Sequence, residues 1–75
     1  MMVFGSQIAA ARALVGATQA EIAREAKVTR EALIRLERAG PRPVVSRDAT
    51  VAKVAAALGA RGAMLTPNGV VRVGG

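Results

Sequence analysis

Apolar residues recur every three or four positions along most of the chain, which is the spacing of one face of an α-helix. The pattern predicts helices over residues 6–15, 19–26, 30–38 and 47–58. The side chains expected to face the interior are Ile8, Ala11, Arg12 and Val15, then Ile22, Ala23 and Ala26, then Leu33, Leu36 and Glu37, and finally Val51, Val54, Ala55 and Leu58. Arg12 and Glu37 thus occupy positions that are otherwise apolar. Arg12 either extends over neighbouring alanines to reach water or binds a fixed acidic partner, which is the better explanation if the third helix passes over it.

Most of these helices follow a residue whose side chain can accept a hydrogen bond from the free N–H groups of a first turn. The candidate N-caps are Ser6, Thr18, Thr29 and, for the fourth helix, Ser46 or Asp48. Thr18 is followed three residues later by Glu21, which completes a capping box. Gly16 and Gly40 can adopt the left-handed conformation that ends a helix.

The periodicity changes after the fourth helix. Residues 63–66 and 70–73 flank the turn sequence Pro67-Asn68-Gly69, a pattern typical of a β-hairpin. Because an isolated two-stranded hairpin is marginal in water, it must pack on the helices or pair with another copy. The expected fold class is mainly α: a compact four-helix bundle with a C-terminal β-hairpin, in one domain over residues 1–75.

The apolar fraction is high, at 52%, but it consists almost wholly of Ala, Val, Leu and Ile, with Phe4 as the single aromatic residue. Such side chains make modest contacts, and a chain of 75 residues buries a small core. A partner subunit would add buried area, so we expect a homodimer. The hairpin is more apolar than a free hairpin needs, and we expect it to contribute to that contact through Met64, Leu65, Val70, Val71 and Val73.

Several functional classes are disfavoured by what the chain lacks. It contains no Cys and no His, and its five carboxylates are scattered, so neither a nucleophile and base pair nor a metal site is expected. We therefore expect no enzyme and no cofactor. No apolar run is long enough for a membrane span, and a cytoplasmic location is expected.

Charge points to a polyanionic partner. Eleven Lys and Arg against five acids give a net charge of +6 and a pI of about 11.7. The third helix presents Arg30, Glu31, Arg35 and Arg38, whose long polar side chains suit the base edges and phosphates of a DNA major groove. Cations after this helix, Arg42 and Arg47, are candidate phosphate contacts together with Arg38. Arg24, Lys53 and Arg61 are interpreted as solvated surface cations.

One set of residues resembles a known family. Arg12, then residues 16–23 (GATQAEIA), 28–30 (VTR) and 36–38 (LER), are similar to the Cro and phage-repressor type of helix-turn-helix DNA-binding domain, also called lambda-repressor-like. The resemblance covers roughly residues 6–59. Two positions depart from the family pattern: Lys27 replaces the usual turn glycine, and Ala17 replaces a larger apolar residue. A non-glycine residue at position 27 must then take a left-handed or strained conformation.

The resemblance implies roles for individual residues. Those that would face the bases are Arg30, Glu31 and Arg35, and those that would lie near DNA phosphates are Thr18, Gln19 and Thr29. It also implies an ion pair between the first and third helices, formed by Arg12 and Glu37. The role of the hairpin does not follow from the resemblance.

The expected function is sequence-specific binding of double-stranded DNA by a small dimeric transcriptional regulator, a repressor or autoregulator, with its third helix in the major groove. Two alternatives stay open. One is an antitoxin-like protein-interaction module that also binds its operator, and the other is a nonspecific nucleic-acid-binding protein. A single Phe argues against stacking on single-stranded RNA.

Overall fold

The structure is a computed structural model that describes residues 2–44 and 49–74. Within these residues the chain forms α1 (Gly5–Leu14), α2 (Gln19–Ala26), α3 (Arg30–Glu37), α4 (Thr50–Ala60), β1 (Ala63–Thr66) and β2 (Gly69–Arg72). The two strands pair antiparallel. Four helices followed by a two-stranded antiparallel hairpin, the coarse architecture that the periodicity predicts, are therefore confirmed.

Each helix contributes to one apolar core. Its largest fully buried side chains are Ile8, Ile22, Leu33, Val54 and Leu58, all on the predicted inward faces. Burying a side chain of this size stabilises a fold by about 1.5 to 3 kcal/mol. Two buried alanines were not predicted: Ala57, which takes the inward place expected of Ala55, and Ala63 at the start of β1.

Two predicted helix starts are corrected by the structure. The first helix begins at Gly5, and the N-cap position is held by Phe4 instead of Ser6. The Phe4 N–H donates to Gln7 Oε1 at 2.8 Å, so a side chain three residues into the helix satisfies this donor. The fourth helix begins at Thr50, after Ala49, which makes no side-chain capping bond. Its predicted caps, Ser46 and Asp48, lie outside the described residues.

The hairpin turn differs in detail from the prediction. Its loop has two residues, Pro67 and Asn68, because β2 begins one residue early and Gly69 pairs with Thr66. Gly69 takes a φ of +145°, whereas Asn68 has no positive φ. The conformational freedom needed at this turn is therefore supplied by the glycine alone.

Polar side chains join the hairpin to the first helix. Gln7, 8% exposed, donates from Nε2 to the carbonyl oxygens of Thr66 at 2.6 Å and Gly69 at 2.9 Å. At the other end of α1, Arg72 Nη2 donates to the carbonyl oxygen of Leu14 at 2.9 Å. The hairpin is expected either to pack on the helices or to pair with another copy. The structure shows it packed on the helices. Sequence patterns did not single out Gln7.

The start of α1 lies directly against the end of α3. The Ser6 N–H donates to the Gly40 carbonyl at 2.8 Å, and the Val44 N–H donates to the Val3 carbonyl at 2.7 Å. A Cβ atom on Gly5 would lie 2.5 Å from the Leu36 carbonyl oxygen and 2.7 Å from the Gly40 nitrogen. Only a residue without a side chain permits this approach of two backbones.

We therefore expect Gly5→Ala to destabilise the protein by about 1 to 3 kcal/mol, since backbone atoms must shift to admit the methyl group. Gly59→Ala is the matched control. Gly59 is exposed in α4 and a Cβ there would meet nothing within 4 Å, so this change should stabilise the protein by about 0.5 to 1 kcal/mol. Urea unfolding of both variants measures the difference. Equal stability of Gly5→Ala and the wild type would contradict the close approach.

Candidate functional site

The helices α2 and α3 form a unit joined by residues 27–29. At the start of α2, Thr18 Oγ1 accepts from the Glu21 N–H at 3.1 Å, and Glu21 Oε1 accepts from the Thr18 N–H at 2.8 Å. At the start of α3, Thr29 Oγ1 accepts from the Ala32 N–H at 3.1 Å. Both predicted caps are therefore confirmed, and they fix where each helix begins.

The connection between α2 and α3 contains a left-handed residue. Lys27 has φ 60° and ψ 42°, and it is the one non-glycine residue with positive φ in the described part of the chain. A lysine in this conformation costs about 1 kcal/mol relative to right-handed backbone. The replacement of the usual turn glycine by Lys27 predicts a left-handed or strained conformation here, and the structure shows the left-handed one. Ala17, the second departure, is 5% exposed and packs in the core despite its small size.

A charged cluster ties α1 to α3, and it contains the predicted pair. Arg12 Nε donates to Glu37 Oε2 and Arg12 Nη2 donates to Glu37 Oε1, both at 2.9 Å. The side chain of Glu37 is 9% exposed and that of Arg12 is 24% exposed, so the pair is only partly withdrawn from water. The hydrogen bonds to Glu37 raise the pKa of Arg12 above its ordinary value. Two parallel bonds of this kind also fix the direction of the guanidinium plane.

The same cluster reaches the start of α2, which was not predicted. Arg12 Nη1 donates to the Ala17 carbonyl oxygen at 3.1 Å. Gln19 Nε2 donates to Glu37 Oε1 at 3.2 Å. One carboxylate thus joins α1, the first residue of α2 and the last residue of α3.

The exposed face of α3 is rich in unpaired charge. Arg30, Glu31, Arg35 and Arg38 are all exposed, whereas Leu33 and Leu36 on the opposite side are buried. Each residue of a helix turns by about 100°, so Arg30 and Arg35 lie about 140° apart around α3, and Glu31 lies between them. No ion pair involves these four side chains within residues 2–44 and 49–74.

A shallow concave surface lies where α1, α2 and α3 meet. Its lining includes Arg12, Thr18, Gln19 and Arg30. The first N–H groups of α2 have no partner inside the helix, and the start of a helix has a positive partial charge. The described side chains and backbone here therefore offer mainly hydrogen-bond donors, as an anion requires.

The remaining predicted phosphate contacts lie at and beyond the end of α3. Arg38 is exposed at the C-cap. Arg42 is exposed and its Nε donates to the Ala39 carbonyl oxygen at 3.3 Å, which keeps it near the helix end. Arg47 lies outside the described residues. The structure therefore brings Thr18, Gln19 and Arg30 to one concave surface. Arg38 and Arg42 lie at and beyond the end of α3, which is also the end that Gln19 contacts through Glu37.

One cation differs from the prediction. Arg61, expected to be solvated, donates from Nε to Glu25 Oε1 at 2.9 Å, and its Nη2 lies 3.8 Å from Glu21 Oε2. The bond from Arg61 lowers the pKa of Glu25, and the hydrogen bond from the Thr18 N–H lowers the pKa of Glu21. Arg61 thus neutralises acids of α2. The exposed arginines of α3 have no such acidic partner among the described residues.

Comparisons with known proteins add no assignment. No protein-family model, no curated protein and no solved structure matches the chain. In the part of the chain that the structure describes, no helix has the length and apolarity needed to cross a membrane.

Removing either partner of the Arg12–Glu37 pair should destabilise the protein, and the loss should differ between the two partners. We expect a loss of about 3 kcal/mol for Arg12→Ala, which leaves a nearly buried carboxylate without its cation, and about 2 kcal/mol for Glu37→Ala, because Arg12 can still reach water. Replacing Arg12 by Met and Glu37 by Leu together should recover much of the loss. Denaturant unfolding measures these changes, and unchanged midpoints for both single variants would show that the pair contributes nothing.

Proposed function

We propose that this protein binds double-stranded DNA sequence-specifically, as a helix-turn-helix protein in which α2 and α3 form the motif and α3 enters the major groove. The observation that supports this most is the exposed charge of α3, which has no ion-pair partner among the described residues, beside a concave surface of hydrogen-bond donors at the start of α2. A helix is about 10 to 12 Å wide with its side chains, and the major groove is about 12 Å wide. The lambda-repressor-like resemblance of residues 6–59 agrees with this proposal.

Base recognition is assigned to three side chains of α3. Arg30 and Arg35 are each able to donate two hydrogen bonds to the O6 and N7 atoms of a guanine, which is the commonest specific contact to DNA. Glu31 lies between them and can accept from the amino group of a cytosine. None of the three has an ion-pair partner within the described residues, so all are available to a ligand.

Phosphate binding is assigned to side chains around α3 and at the helix starts. The hydroxyl oxygens of Thr18 and Thr29 accept capping bonds, but each O–H group is still available as a donor. Gln19 has a second N–H group on Nε2, and Arg38 and Arg42 are exposed. Arg47 is assigned the same role from the sequence. These contacts would set the position of the protein on the duplex and give affinity independent of sequence.

The biological role proposed is a small transcriptional regulator, a repressor or autoregulator that acts by occupying a promoter in the cytoplasm. No catalytic activity, cofactor or metal is assigned. The second hypothesis is an antitoxin-like protein that binds its operator and also a protein partner. The exposed apolar side chains of the hairpin favour it, and a stable complex with a small protein encoded beside it would support it.

A homodimer is proposed, with the outward face of the hairpin as its contact. Met64 and Val71 lie opposite each other across the strands and are 49% and 44% exposed, and Val73 is 37% exposed. Arg72 projects towards α1 instead, where it binds the Leu14 carbonyl. Because two copies with a charge of +6 repel each other, an apolar face is a surface on which they can approach.

Single substitutions on α3 should separate specificity from affinity. Arg30→Ala and Arg35→Ala should each lose about 1 to 3 kcal/mol of discrimination at particular base pairs, equivalent in two half-sites about 34 Å apart. Arg42→Ala should weaken all duplexes alike and reduce the slope of log affinity against log salt by about one unit. The measurement is binding to a duplex selected from a random pool and to its single-base variants, at two salt concentrations.

Arg24→Ala is the matched control, because Arg24 is an exposed cation of α2 that is assigned no DNA contact. It should lower affinity slightly and leave base preference unchanged. If Arg30→Ala and Arg35→Ala weaken every duplex by the same factor, the protein is a nonspecific binder. If the wild type binds no duplex at low salt, the proposed function is wrong.

Charged substitutions on the hairpin should test the dimer contact. Met64→Lys and Val71→Lys together should shift the protein towards monomer while its helical circular dichroism stays unchanged, since both side chains point away from the core. Met2→Lys is the control, because Met2 is 61% exposed and lies elsewhere. Point substitutions are preferable to deletion, which would remove buried Ala63 and the partners of Gln7. Sedimentation equilibrium that shows a monomeric wild type, or an unchanged dimer in the double variant, would contradict this contact.

A further inference from the structure

The carboxylate of Glu37 binds two partners that belong to different parts of the site. Its Oε1 atom accepts from Arg12 Nη2 at 2.9 Å and from Gln19 Nε2 at 3.2 Å, and its Oε2 atom accepts from Arg12 Nε at 2.9 Å. Glu37 itself is 9% exposed and lies behind the surface that Gln19 and Arg30 line. It is therefore placed to act on that surface only through a neighbouring side chain.

We infer that the Arg12–Glu37 pair is a positioning device for Gln19, which it holds in the orientation that binds a DNA phosphate. This inference rests on the proposed function. Arg12 fixes the direction of the Glu37 carboxylate through two parallel bonds, and the carboxylate in turn fixes the amide of Gln19. The pair thus has a role in DNA affinity in addition to its role in stability.

The chemistry of the amide determines which atoms are left for the phosphate. An ionised carboxylate only accepts hydrogen bonds, so the nitrogen of the Gln19 amide must face Glu37. This nitrogen has a second N–H group, which has no partner within the described residues. It belongs to the first residue of α2, where the backbone N–H groups also lack partners inside the helix. Donors from one residue and one helix start can then meet the same anion.

The orientation of Gln19 matters because a free glutamine side chain rotates about several bonds. Holding it in one conformation before binding removes the loss of rotamer freedom that binding would otherwise incur. Glu37 supplies this restraint from a nearly buried position. A phosphate contact made by an unrestrained Gln19 would therefore be weaker.

The direction in which DNA affinity changes when Glu37 is substituted separates a positioning role from simple electrostatics. Glu37→Gln removes a negative charge near the proposed phosphate site and frees Arg12, so coulombic attraction alone would strengthen DNA binding. Loss of positioning would weaken it. We expect Glu37→Gln to lower affinity about tenfold, the effect of one hydrogen bond to a charged group, although the net charge of the protein rises.

A double-mutant cycle tests the inference. The probe is a duplex selected from a random pool, with a scrambled duplex beside it, and the variants are Gln19→Ala, Glu37→Gln and both together. Glu37→Gln should weaken binding to both duplexes in the wild-type background, and should leave it unchanged or strengthen it when Gln19 is already Ala. The thermal destabilisation caused by Glu37→Gln should persist in both backgrounds, because it does not depend on DNA.

Glu25→Gln is the matched control, since it removes the same charge and breaks a pair with Arg61, away from Gln19. It should leave DNA affinity unchanged or raise it slightly. If Glu37→Gln does not fold, Glu37→Asp replaces it. That variant keeps the charge but is one methylene shorter, so it cannot hold both partners, and it should show the same dependence on Gln19.

Two results would overturn the inference. One is equal weakening by the Glu37 variant with and without the Gln19 side chain, and the other is stronger binding by Glu37→Gln in the wild-type background. Either result, combined with base-specific losses in Arg30→Ala and Arg35→Ala, would leave the proposed function intact. Failure of the wild type to bind any duplex would instead remove the proposed function and this inference together.

Discussion

The need to satisfy one nearly buried carboxylate determines how the helices of this protein are arranged. Glu37 is 9% exposed, and its oxygens accept from Arg12 and Gln19. A charge withdrawn from water is tolerated only when its partners are fixed in position. Satisfying Glu37 therefore fixes the end of α3 relative to α1 and to the start of α2. The same arrangement leaves the charged side of α3 outside, where the candidate site lies.

Side chains of modest size explain why polar contacts have so large a part in the structure. Among residues 2–44 and 49–74, no aromatic side chain belongs to the buried core, and several of the buried residues are alanines. Small side chains let helices approach closely, as the backbone contact at Gly5 shows. Each of these side chains, however, buries little apolar area. Gln7, Arg12 and Arg72 supply directional bonds between elements that packing alone would leave less defined.

Much of the fold could be predicted from the sequence because its signals are local. Helical periodicity identified the buried faces, and the capping residues Thr18 and Thr29 marked two helix starts correctly. The Arg12–Glu37 pair was predictable because both charges interrupt apolar faces and because the resemblance contains it. Lys27 was predictable because the connection requires a left-handed residue at that position whatever its type.

The contacts that could not be predicted depend on residues distant in sequence. Nothing in the neighbourhood of Gln7 indicates that its amide binds the hairpin turn, and nothing near Gly5 indicates a backbone beside it. Arg61 resembled a solvated cation because its partner Glu25 lies 36 residues earlier. The base contacts of Arg30, Glu31 and Arg35 stay predictions, since the structure shows their exposure and not their ligand.

The bond between Gln7 and the hairpin turn also has a consequence for the order of folding. It joins residues 59 and 62 positions apart, whereas the contacts of α2 with α3 close a loop of three residues. Closing a long loop costs more chain entropy and comes late unless other contacts have already shortened it. We therefore expect the helices to assemble first and the hairpin to dock last, with the amide of Gln7 open to water until that final step.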